Sequence, residues 1–191
     1  GQAGSDVVDG GSGNDWLFGD AASGVPGTDA DTLIGGDGDD NINGAAGDDL
    51  IHGDSPGGGA GDDVVNAGGG NDTVYGGDGS DFLDGQDGSD LIEGGAGDDI
   101  IYGEGAGVDT GDDTIAGSAG NDFLSGGSGS DVIDGGLDND TVEGGAGADS
   151  LVGGSGTDWL SYRYSDEAVT VDLAAQAASG GDATGDIVSG F

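Results

Sequence analysis

Sixteen aspartates recur in one phase along this 191-residue chain: Asp6, Asp15, Asp31, Asp40, Asp49, Asp63, Asp72, Asp81, Asp90, Asp99, Asp113, Asp122, Asp131, Asp140, Asp149 and Asp158. Each is the sixth residue of a nine-residue unit with glycine at most of positions one, two and four. Clear copies are GGSGNDWLF at 10–18, GGDGSDFLD at 76–84, GGAGDDIIY at 94–102 and GGSGSDVID at 126–134. Carboxylates set among glycines, whose carbonyls no side chain shields, make an all-oxygen donor set. Such oxygens suit a hard cation such as Ca²⁺, which takes roughly six to eight of them at about 2.3–2.6 Å. One unit offers too few, but two loops stacked at about the 4.8 Å strand spacing can supply them jointly.

The elements that would hold these loops follow from the same register. Position eight is aliphatic in all sixteen units, from Val8 and Leu17 to Leu151 and Leu160, and position one is Gly except at Ala67. In the unit 76–84, Gly76, Gly77 and Gly79 permit a turn through positive φ. Phe82-Leu83-Asp84 then reads as a three-residue strand, with Leu83 facing one way and its neighbours the other. The register runs from Gly1 to Ser161, with insertions of seven, five and five residues near 20–30, 54–61 and 104–111. Three loops are weaker: Asp29-Ala30-Asp31 stands where Gly-x-Asp is expected, Asp138 replaces the position-four Gly, and Ala148 lacks a hydrogen-bonding group at position five.

Composition narrows the partners. Asp and Glu number 40 against a single Arg (Arg163), giving a formal net charge of −39. A chain so charged repels itself unless cations neutralise it. Nucleic acid and anionic membrane surfaces find no basic patch to meet. The absence of Cys excludes disulfides, thiolate metal sites and Cys nucleophiles. No apolar run approaches the length of a membrane span. With one thin aliphatic stripe as its core, the chain is expected to need metal to fold.

The repeat resembles the RTX, or haemolysin-type, calcium-binding nonapeptide repeat, across residues 1–161. That resemblance implies an all-β fold: a right-handed parallel β-roll with two nonapeptides per turn and Ca²⁺ between loops n and n+2 on each edge. It implies the sixteen aspartates as side-chain ligands. Gly11, Gly13, Gly77, Gly79, Gly95, Gly97, Gly127 and Gly129 become typical carbonyl donors. Eight loops per edge leave at most seven gaps, hence up to about 14 ions, fewer where insertions spoil a loop. It further implies a secreted, extracellular bacterial protein, exported by the type I secretion machinery, with a repeat module that is not itself an enzyme. The other reading is an accessory or carbohydrate-binding module of a secreted enzyme (protease, lipase or alginate epimerase), or part of a large adhesin.

Even-numbered units place Trp16, Val64, Phe82, Ile100, Phe123 and Trp159 on one outward face. Of these, Trp16, Phe82, Phe123 and Trp159 are candidates for a surface that meets glycan or protein, against the plainer reading of cross-strand packing. His52 reads as a solvated outward residue. Residues 162–191 leave the regular pattern and are expected to cap the roll. Val169, Val171 and Leu173 alternate as a strand there, and 180–189 is a degenerate repeat with Asp186 and Val188 in the Asp and aliphatic roles. Arg163 is expected to pair with a nearby Asp. The abrupt end at Phe191 suggests a piece of something longer.

Overall fold

The computed structural model describes residues 4–20, 28–105, 110–165 and 167–191. Parts of the first and third insertions, residues 21–27 and 106–109, lie outside the described residues, as does Asp166.

Strands begin where a position-seven residue follows the loop aspartate. In chain order they are β1 (Val7–Ser12), β2 (Trp16–Phe18), β3 (Thr32–Asp37), β4 (Asn41–Ala46), β5 (Leu50–Asp54), β6 (Val64–Gly69), β7 (Thr73–Asp78), β8 (Phe82–Asp87), β9 (Leu91–Ala96), β10 (Ile100–Tyr102), β11 (Thr114–Ala119), β12 (Phe123–Gly129), β13 (Val132–Leu137), β14 (Thr141–Gly147), β15 (Ser150–Ser155), β16 (Trp159–Leu160), β17 (Thr170–Asp172), β18 (Ala177–Ser179) and β19 (Ile187–Ser189). Most span six residues, not three. Pairing continues through positions one to three of the next loop, because the loop backbone stays extended until its second glycine.

Odd strands from β1 to β15 form one parallel sheet, extended by β19, β18 and β17 to 11 strands, and even strands form a second sheet of 8. Successive units therefore alternate between two faces, and the molecule is a parallel β-roll. The register sets the turn length. Asp63 pairs through its N–H with a residue 18 positions on, while the inserted turns at Asp6 and Asp40 need 25 and 23. The insertions thus leave the ladder in phase. In-register stacking also aligns position seven along the even sheet as Trp16, Asn41, Val64, Phe82, Ile100, Phe123, Thr141 and Trp159.

Strand alternation turns position eight inward from both sheets. Leu33, Ile51, Leu83, Ile101, Leu124, Ile133 and Leu151 are wholly buried in one core cluster, and Val8 and Leu160 pack against it at the two ends. From Gly19 onward the position-one residues are buried with them: Ala67 is 0% exposed, and a Cβ on Gly76 would strike the carboxylate of Asp81.

The C-terminal segment docks on the open end of the odd sheet. β19 pairs parallel with β15, setting Val188 beside Leu151, and β18 and β17 then turn back antiparallel. Val188, Ala178 and Ala183 join the core cluster. Asp186 takes the loop-aspartate position, accepting the Asp149 N–H at 3.0 Å through Oδ1. Its Oδ2 accepts the Tyr162 hydroxyl at 2.7 Å. Burial first, and then the Asp186 carboxylate, push the Tyr162 phenol well above its usual range, so it remains a donor. Arg163 does not meet an Asp among the described residues. It lies 4.4 Å over the Tyr164 ring, and its charge acts on the buried Glu143.

Tyr162→Phe removes the hydrogen that closes this last rung. Its expected cost is about 1.5–3 kcal/mol, the range for a bond to a charged group. Urea unfolding at saturating calcium measures it, and an unchanged midpoint would show that the hydroxyl is dispensable.

Candidate metal sites

Each loop is built by glycines that let successive turns approach. Gly77 and Gly79, at positions two and four, have φ of 128° and 142°. A Cβ on Gly97 would collide with the Gly79 carbonyl oxygen of the preceding turn, and one on Gly95 with that of Gly77. Position-two and position-four carbonyls therefore point along the stack into the space between turns. All eight expected carbonyl donors (Gly11, Gly13, Gly77, Gly79, Gly95, Gly97, Gly127 and Gly129) have positive φ. Gly76 does not. Its lack of a side chain leaves room for the Asp81 carboxylate. Asp138 adopts φ 74°, so a glycine is replaced there without loss of the turn. At the irregular third unit the Asp29 carbonyl lies against Gly47 in the position-four role.

The loop aspartates form two continuous ladders. On one edge the N–H groups of Asp6, Asp31, Asp49, Asp72, Asp90, Asp113 and Asp131 each donate to Oδ1 of the aspartate in the next turn, ending at Asp149. On the other edge Asp15, Asp40, Asp63, Asp81, Asp99, Asp122 and Asp140 do the same, ending at Asp158. A second ladder runs the opposite way one residue earlier, at position five. There the Asp48 carboxylate accepts the Asn71 N–H, and Asn71 accepts that of Ser89. The repeated Asp, Asn and Ser at this position signal it in the sequence.

From the second aspartate of each ladder onward, one oxygen is used by this bond; the other decides the chemistry. Oδ2 is buried without a hydrogen-bond partner in Asp15, Asp31, Asp40, Asp49, Asp63, Asp72, Asp81, Asp99, Asp122, Asp131, Asp140 and Asp149. An unpaired buried carboxylate oxygen is costly, and the chain has no Lys and a single Arg to offset so many. No three Asp, Glu or His side chains converge on one point among the described residues. What each loop offers is a carboxylate oxygen and main-chain carbonyls, all hard oxygen, the kind of donor that a divalent cation of the calcium type takes.

Electrostatics agree. Burial pushes Asp49, Asp63, Asp81, Asp99 and Asp131 up to about 7 and Asp72, Asp122 and Asp149 up to about 6. Neighbouring carboxylates add to most of these shifts, while the ladder bond opposes them. Either a proton or a cation relieves the strain.

Outside the loops, Tyr102 bridges Phe82 and Phe123 at 5.8 Å centroid separations, a small aromatic cluster on the even sheet. Trp16 and Trp159 share that face, 74% and 71% exposed, but on its two edge strands. Seven strand spacings of about 4.8 Å put them roughly 34 Å apart. His52 is not simply solvated. It is half-buried and stacked on Tyr75, ring centroids 5.0 Å apart, and burial lowers its pKa.

Residues 1–24, 26–55, 58–83, 75–106, 108–142 and 138–162 match the RTX calcium-binding nonapeptide repeat (4 copies). The chain belongs to this calcium-binding family. No curated protein matches it closely enough to count as a relative.

Two outcomes are expected of this RTX roll. Asp81→Ala, in the middle of the stack, leaves the Asp63 N–H without its acceptor. It should cost about 1–3 kcal/mol and raise the calcium midpoint more than Asp158→Ala at the end, read by far-UV circular dichroism. A carboxyl whose folded pKa is raised destabilises the fold fully above about 7, and acid relieves it below about 4. For a calcium-free chain that is unfolded, the carboxyls titrate near the ordinary 3.8, so calcium has to displace protons only as pH approaches that value. The calcium midpoint should change little from pH 8 to pH 6 and rise at least about threefold by pH 4, and a midpoint still flat at pH 4 would count against charged carboxylates at the sites.

Proposed function

We propose that this chain is a calcium-triggered folding module of a larger secreted bacterial protein. The observation that carries the reading is the buried, unpartnered Oδ2 in turn after turn, within a chain of net charge −39. Without cations such a roll stores uncompensated charge on both edges, and its single aliphatic stripe is thin compensation for ordering 50 glycines. The ladder aspartates and the position-two and position-four carbonyls would hold the ions. When bound, calcium supplies neutralisation and cross-links adjacent turns. About 14 ions would reduce the charge to about −11, which a folded protein carries readily.

Extracellular calcium modules work at roughly 10⁻⁴ to 10⁻³ M. At cytosolic calcium the chain would stay unfolded, able to thread the type I secretion channel that serves its family, and it would fold once outside. Each ion present at 100 times its Kd adds about 2.7 kcal/mol, so many sites acting together give a steep transition. In chelator the β-signal of the far-UV spectrum should vanish, and it should return cooperatively between micromolar and millimolar calcium. A spectrum indifferent to chelator would overturn this reading.

The Phe82–Tyr102–Phe123 cluster favours a second reading, an accessory surface for glycan or protein on a secreted enzyme or adhesin. A glycan array at saturating calcium, repeated with Tyr102→Ala, tests it.

A further inference from the structure

Each of the three insertions opens in the same way. The residue after the position-one glycine, elsewhere usually Gly, is acidic: Gly19-Asp20, Gly53-Asp54 and Gly103-Glu104. The middle insertion is described throughout, and there the acidic side chain occupies a defined place. In uninterrupted turns the position-two carbonyl lies against the position-two glycine of the next turn, as Gly77 does against Gly95. Before Gly77 itself, that place is taken by Asp54 Oδ2, which also accepts the Asp78 N–H at 2.7 Å. Asp54 thus imitates a main-chain carbonyl both in position and in hydrogen bonding. Glu104 lies against Gly127 in the corresponding way, Oε2 falling 2.7 Å from where a Cβ would stand.

A carboxylate has a second oxygen, which the carbonyl it replaces lacks. Asp54 is only 9% exposed, and its Oδ1 is buried with no hydrogen-bond partner. A methyl group on Gly59 would sit 3.0 Å from this Oδ1 and 2.7 Å from the Gly36 carbonyl oxygen. Two unlike oxygens, with the Ser55 backbone nitrogen at 3.2 Å, therefore surround a point that the missing side chain of Gly59 leaves open. Asp78, Asp37 and Asp40 all bear on Asp54 with like charge, and no cationic group opposes them. Asp20, which opens the first insertion, is likewise buried, 7% exposed with Oδ2 unpartnered.

We propose that Asp54, with the Gly36 carbonyl, is an additional side-chain ligand for calcium. The middle insertion then preserves the ion site it interrupts, substituting an anionic oxygen pair for one neutral carbonyl, and this turn binds calcium more tightly than uninterrupted ones. This rests on the calcium reading above and adds ligands to it.

Calcium bound to the whole chain is counted by equilibrium dialysis with elemental analysis across free calcium from 10 μM to 10 mM. Asp54→Asn retains an acceptor for Asp78, Gly59→Ala fills the convergence point, and Asp172→Asn in the cap is the control for lost charge. The expected result is one ion fewer at sub-saturating calcium, or one site weakened at least tenfold, in Asp54→Asn and in Gly59→Ala but not in Asp172→Asn. Counts and affinities for Asp54→Asn equal to those of the control would overturn the proposal. So would a failure of both variants to regain the wild-type far-UV spectrum at 10 mM calcium, since Asp54 would then serve the fold and not the ion. Wild-type protein that binds no calcium would instead sink the calcium reading itself.

Discussion

Everything in this molecule turns on a carboxylate that the polypeptide half satisfies. From Asp31 and Asp40 onward, Oδ1 of the ladder aspartates is held by a backbone N–H from the adjoining turn, which fixes the side chain and buries it. Fixing it strands the other oxygen away from water. A protein rich in Lys or Arg could neutralise such a site, but this one has a single arginine, in its cap. On the reading proposed above, folding and cation binding are one event, because the bonds that order the loops also create the need for the ion.

The ladders explain why stability is shared between neighbours and little further. A turn contacts the turn before and the turn after, through position-six bonds running one way and position-five bonds running the other. Solenoids of this kind behave as linear arrays of coupled units. Insertions are tolerated because pairing is governed by which turn lies alongside, not by how many residues lie between. Bonds spanning 18, 23 and 25 residues are equivalent here.

Much of this was legible in the residues. Asp at position six and an aliphatic residue at position eight hold one phase through sixteen units, and strand alternation alone assigns them to loop and core. Less legible was whatever depends on contact across turns. The strands run into glycine positions that propensity alone would leave as loop. His52 meets Tyr75 only because β5 and β7 stack in register despite the insertion between them. Tyr162 closes the last rung from 24 residues before Asp186, and no period announces that reach. Asp54 looked like the start of a disturbed loop, yet its carboxylate occupies a carbonyl's place.

Through the roll the interior is one large aliphatic residue wide per strand, from Leu17 to Leu151, and only the small Ala67 adds to it. A globular domain gains on its surroundings as it grows, because volume outpaces area. This rod gains nothing of the kind: lengthening it adds as much skin as filling. Its extent can thus be set by how far it has to reach, with each new segment no sturdier than the last.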